Sequence, residues 1–139
     1  MIEGVHHLAV MTPDFERLAA FYTEVFGAEV LGRDPGGGPG FLDIGGVRLH
    51  VFTRADEVPR GRIDHFALEA SGLDEFTTLR SRLVEREAST GEVIDFGGPV
   101  SLFFEDPDGH LCEVSLDKPE GFDPPFEVTA FEDSPFARD

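Results

Sequence analysis

The chain repeats itself at a spacing of 58 residues, and that repeat limits its fold more than any single motif does. HLAV starting at His7 has the character of HFAL starting at His65. Phe15, Leu18, Phe21 and Val25 recur as Leu73, Phe76, Leu79 and Leu83. The ends of the two copies also match: His50 lies four residues after Gly46, and Glu113 lies four after Gly109. One βαβββ unit is therefore written twice. Two copies of one unit pack about a pseudo-twofold axis, which brings equivalent positions towards a shared centre. The expected fold is α+β, with two βαβββ modules forming a cupped mixed sheet. Its domain spans residues 1–117, with module one at 4–54 and module two at 62–117.

Each module can be read along the chain. Val5–Met11 alternates as a strand, with His7 on one face and His6, Leu8 and Val10 on the other. Thr12-Pro13-Asp14 reads as a helix start with Thr12 as N-cap, and Gly27 as a stop. Short strands are expected at Glu29–Leu31 and Phe41–Ile44, separated by the glycine-rich loop 34–40. Gly45-Gly46 between two apolar runs reads as a two-residue hairpin turn. The strand Val47–Phe52 then puts Arg48, His50 and Phe52 on one face. After a charged linker at 54–62, Ile63–Glu69 restarts the pattern. Ser71-Gly72-Leu73-Asp74 resembles a capping box, followed by a second amphipathic helix. The stretch 106–116, DPDGHLCEVSL, joins turn chemistry to a strand that sets Glu113 among apolar neighbours. The tail 118–139 is an acidic Pro/Phe-rich C-terminal arm without helical spacing, expected to lay its phenylalanines on the body or on a partner subunit.

Strand parity leaves four polar side chains on one face: His7, His65, His50 and Glu113. Their neighbours Leu49, Val51, Leu68, Cys112, Val114 and Leu116 form an apolar face suited to the helices. Two or three imidazoles with one carboxylate suit a divalent first-row ion. His7, His65 and Glu113 are the expected ligands, and His50 either completes the set or acts as acid–base. The ion is one of zinc, nickel, manganese, cobalt or Fe(II). His6 has the opposite parity and is expected to be satisfied by backbone. His110 is expected to face solvent, Cys112 to be a buried apolar residue, and Tyr22 to be core.

Composition removes other classes. Eleven basic and 28 acidic residues give a net charge of −17, which repels nucleic acid and anionic membranes. The single cysteine, Cys112, permits no internal disulfide and suggests a reducing, cytoplasmic setting. The opening MIEGVHH lacks a signal-peptide pattern. No apolar run approaches the roughly 20 residues that a membrane helix needs.

Taken together, HLAV, the helix ending FYTEVFG, IDHFAL and DPDGHLCEV resemble the vicinal oxygen chelate superfamily, which includes glyoxalase I, extradiol dioxygenases, fosfomycin-modifying transferases and bleomycin-type binding proteins. The resemblance implies that His7, His65 and Glu113 occupy metal-ligand positions and that His50 stands where glyoxalase I carries a fourth, acidic ligand. It implies a metal-dependent enzyme, glyoxalase-like, acting on a small-molecule substrate as a homodimer. An Fe(II) extradiol-type dioxygenase is the first alternative, although Tyr22, the only tyrosine, lies in a helix. A bleomycin-resistance-type binding protein is the second. Fosfomycin-type transfer asks for a basic cluster, and only Arg48 shares the relevant face.

Overall fold

The computed structural model describes residues 1, 4–33, 39–54, 61, 63 and 65–137. The chain divides into two compact units, Met1–Gly61 and Arg62–Asp139. The first contains β1 (Leu8–Thr12), α1 (Phe15–Phe26), β2 (Glu29–Arg33), β3 (Gly40–Ile44) and β4 (Val47–Thr53). Its mixed sheet has the order β1-β4-β3-β2, with β1 and β4 parallel and the other pairs antiparallel. The second contains β5 (Phe66–Glu69), α2 (Leu73–Glu85), β6 (Val93–Asp95), β7 (Pro99–Glu105) and β8 (Leu111–Asp117), followed by β9 (Val128–Ala130). Its sheet has the order β5-β8-β7-β6-β9. The first four strands reproduce the order of the first unit. The internal repeat is thus a repeat of topology.

Helix α1 forms because its apolar residues recur on one face. Phe15, Leu18, Ala19, Phe21, Tyr22 and Val25 are all buried, and the helix packs on β3 and β4. The N-cap is Asp14, whose carboxylate accepts the Arg17 N–H at 3.1 Å. Thr12, expected in that role, ends β1 instead, and its hydroxyl accepts the Asp14 N–H at 3.0 Å. Proline is excluded from the helix because the chain is still extended where it enters. Gly27 closes the helix in the left-handed region, at φ 68°, with its N–H on the Thr23 carbonyl.

Helix α2 is held more lightly. Only Phe76 and Leu83 are buried, and the expected capping box is not formed: the N-cap is Gly72, without a side-chain cap bond. Across the second sheet, Val100, Leu102, Phe104, Cys112, Val114 and Leu116 are buried, and α2 packs on β8. Tyr22 is likewise core, at 1% exposure. Gly45 and Gly46 connect β3 to β4 at φ 56° and 89°, a turn that side-chain-bearing residues adopt only with strain. Both residues before the parallel strands, His7 and His65, stand just outside β1 and β5 rather than within them.

The described part of the tail covers residues 118–137. The Lys118 ammonium donates to both Asp95 carboxylate oxygens, at 3.0 and 2.9 Å. Phe126 packs on Phe76 at 5.6 Å between ring centroids, on the helix side of the sheet. Strand β9 then pairs in parallel with β6, and two 3-10 turns follow at Phe131–Asp133 and Pro135–Ala137. No helix among the described residues is long and apolar enough to cross a membrane.

Candidate metal centre

Two pairs of polar side chains occupy corresponding positions in the two units. In the first, β4 runs parallel to β1 with His50 opposite Ala9. In the second, β8 runs parallel to β5 with Glu113 opposite Ala67. Ala9 and Ala67 are themselves 58 residues apart, so the register makes His50 and Glu113 structural equivalents.

In the first unit the His7 and His50 rings stack, 3.7 Å apart and inclined by 7°. His7 Nδ1 shares a hydrogen bond of 2.9 Å with His6 Nδ1, which leaves Nε2 as the nitrogen to meet a ligand. His6 is therefore bound to its neighbour's ring rather than to backbone. His50 also meets the edge of Phe41, its partner across β3, at 4.9 Å. Its pKa is lowered, first by burial of the charged form and then by His7, with Arg48 and His6 adding repulsion. A neutral imidazole follows, able to accept a proton or a metal.

In the second unit His65 Nε2 lies 2.9 Å from Glu113 Oε2. This separation suits a hydrogen bond. It would also suit two donors sharing one ion, an imidazole nitrogen and a carboxylate oxygen. Glu113 Oε1 accepts from the Ser115 hydroxyl at 2.8 Å, and Ser115 is bonded in turn to the fully buried Ser101 at 2.9 Å. One carboxylate oxygen is fixed by the sheet and the other is turned towards the imidazole. Such an outer bond orients a metal-ligating carboxylate. The donor set and its support fit a divalent ion.

Sequence reasoning missed Ser101, Ser115, Phe41 and Phe103. Phe103 lies directly opposite Glu113 across β7 and β8, and its ring meets the edge of His65 at 5.3 Å. The signal was cross-strand register, which becomes legible only when the partner strands are aligned.

A third cluster lies in the turn between β7 and β8, where ligand atoms of Asp106, Asp108 and His110 fall within 4.8 Å of one another. Its geometry is accounted for by the turn. Asp106 Oδ1 accepts the N–H groups of Asp108 and His110, at 2.9 and 3.0 Å, and Oδ2 pairs with His110 Nδ1 at 2.6 Å. His110, expected to face solvent, is drawn back onto this buried carboxylate, which holds the hairpin closed. Cys112 is wholly buried in the strand beyond.

The family model described as Glyoxalase/Bleomycin resistance protein/Dioxygenase superfamily matches residues 4–114. Metallothiol transferase FosB of Lysinibacillus sphaericus is 32% identical over 118 residues, covering 81% of this chain and 81% of its own. A glyoxylase/bleomycin resistance protein/dioxygenase domain from Frankia sp. EAN1pec superposes with a TM-score of 0.74 at 23% identity, covering 87% of this chain and 96% of that one. Lactoylglutathione lyase from Agrobacterium tumefaciens gives 0.65 at 27% identity, covering 88% and 100%.

Proposed function

Since the chain belongs to the Glyoxalase/Bleomycin resistance protein/Dioxygenase superfamily, we propose that it is a metal-dependent enzyme of the glyoxalase I type. It takes a small substrate by two neighbouring oxygens and promotes proton transfer, in isomerisation or lyase chemistry. His7, His65 and Glu113 hold one divalent ion, and His50 completes the set or serves as acid–base. The observation that carries this reading is the His65–Glu113 pair, an imidazole and a carboxylate 48 residues apart in the chain that meet at 2.9 Å. Its support is the matching register that gives His50 and Glu113 equivalent places. A bound ion supplies Lewis acidity at the substrate oxygens. The protein's own part is to orient the carboxylate through Ser115 and to keep the His50 imidazole neutral, ready to accept a proton near neutral pH.

A second reading, transfer of a thiol, draws support from the likeness to metallothiol transferase FosB. The two separate in one set of assays on metal-loaded protein with candidate dicarbonyl and epoxide substrates. Isomerisation without loss of thiol supports the first reading. Stoichiometric thiol consumption supports the second. Oxygen uptake with a catechol contradicts both and favours an extradiol-type reaction. A homodimer belongs to the same proposal, and sedimentation velocity tests it: a species of monomer mass at micromolar concentration removes it.

A further inference from the structure

The tail contributes a second surface beside the candidate ligands. It leaves the helix side of the second sheet at Phe126, passes the sheet edge as β9, and folds its two 3-10 turns onto the opposite face. That is the Glu113 face, because Phe103 and Glu113 are directly paired across β7 and β8. Phe136 stacks on Phe103 with ring centroids 4.9 Å apart and planes inclined by 29°. Phe96 lies 5.8 Å from Phe131 and 5.7 Å from Phe136, tying both turns to the end of β6. The rings are not sealed in a core. Phe131 is 43% exposed and Phe136 49% exposed. The series therefore runs from an open ring at Phe136, through Phe103, to the edge of His65.

We propose that residues 131–137 form an aromatic wall of the metal centre, and that the substrate carries a flat apolar group, an aryl ring, next to its chelating oxygens. This rests on the metal-dependent reading of His65 and Glu113. A planar group held by its oxygens near those donors lies beside the face of Phe136. Offset or edge-on ring contacts there add affinity that an alkyl group does not obtain. Phe136 and Phe131 are specificity residues and take no part in holding the ion.

The test uses the full chain loaded with cobalt(II) and two probes that chelate through the same pair of oxygens, acetohydroxamate and benzohydroxamate. Affinities come from titration calorimetry and cobalt content from elemental analysis of the same samples. The expected result is tighter binding of benzohydroxamate by roughly tenfold in the parent protein. Phe136→Ala and Phe136→Leu should retain cobalt and acetohydroxamate affinity while losing most of that preference. Because Phe136 is half exposed, neither change removes a core side chain. Equal affinity for the two probes in the parent, or full preference in both variants, overturns the aromatic wall and leaves the metal reading standing. Failure of the parent protein to hold cobalt overturns the metal reading itself, and the wall with it; loss of cobalt in the Phe136 variants alone overturns the assignment of Phe136 to specificity.

Discussion

In the first unit His50 lies opposite Ala9 and stacks on His7; in the second, Glu113 lies opposite Ala67 and meets His65. The backbone register is the same, and so is the aromatic partner across the next strand, Phe41 in one case and Phe103 in the other. What differs is charge and support. The His50 imidazole has its pKa lowered, first by burial of the charged form and then by the neighbouring His7. The carboxylate of the second pair is anchored through Ser115 to buried Ser101. A duplicated scaffold thus carries an imidazole, His50, in one copy where the other carries the Glu113 carboxylate.

The helices show the same divergence in energetic terms. Six buried side chains and two formed caps hold α1, against two buried side chains and a bare glycine N-cap for α2. The second unit compensates with its tail, whose Phe126 covers Phe76 and receives Arg80 over its ring at 5.3 Å.

The sharpest way to break the division between the units is Glu113→Gln. It keeps the shape and removes the anion, so tight metal binding should be lost; metal content equal to the parent's contradicts the assignment. Ser115→Ala comes next. It releases one carboxylate oxygen, and metal affinity should fall about 10- to 100-fold as read by chelator competition. An unchanged affinity would mean that the Ser115 bond does not orient Glu113. A smaller effect is expected at Lys118→Met, which frees the tail from Asp95. The Lys118 hydrogen bond, helped by the Gly97 N–H, holds the Asp95 carboxyl below its ordinary value of 3.8. A depressed carboxylate stabilises the fold above its unfolded pKa, and that contribution is lost as pH falls through the folded one. The variant should therefore be less stable at pH 7, by under about 1 kcal/mol for a pair that is a third exposed, with the gap closing below pH 3.8. A gap that persists at lower pH in denaturant melts would place the effect in packing rather than charge.

The smallest effect concerns the imidazole pair. In metal-free protein the His50 proton signals should titrate below 6.5, the ordinary histidine value, and His7→Ala should move them part of the way back. Since His50 binds its proton less readily in the folded state than in the unfolded chain, its contribution weakens as pH falls below 6.5. No movement in the His7→Ala titration would show that His7 takes no part in lowering His50.

The repeat was legible because helical spacing and turn residues survive in both copies, and it carried the βαβββ succession of elements with it. The caps were less legible. Thr12 and Asp14 are both good capping residues, and the choice between them depends on where β1 stops pairing with β4. Ser71 had a capping pattern, yet the chain is extended at Gly72, which takes the cap position without a side chain. Single-strand parity placed His50 and Glu113 on faces but could not show the serines or phenylalanines beside them. Those neighbours are set by partners such as Ser101, Phe41 and Phe103, which lie on adjacent strands. His110 illustrates the converse: a histidine in a polar turn has no pattern that reveals a bond to a buried Asp106.

The central claim is that these residues hold one metal ion. Elemental analysis of untagged protein, beside the Glu113→Gln variant, addresses it most directly. The account predicts about one divalent first-row ion per chain in the parent and none retained in the variant. A parent protein that binds no metal after reconstitution, or a variant that retains as much as the parent, contradicts it.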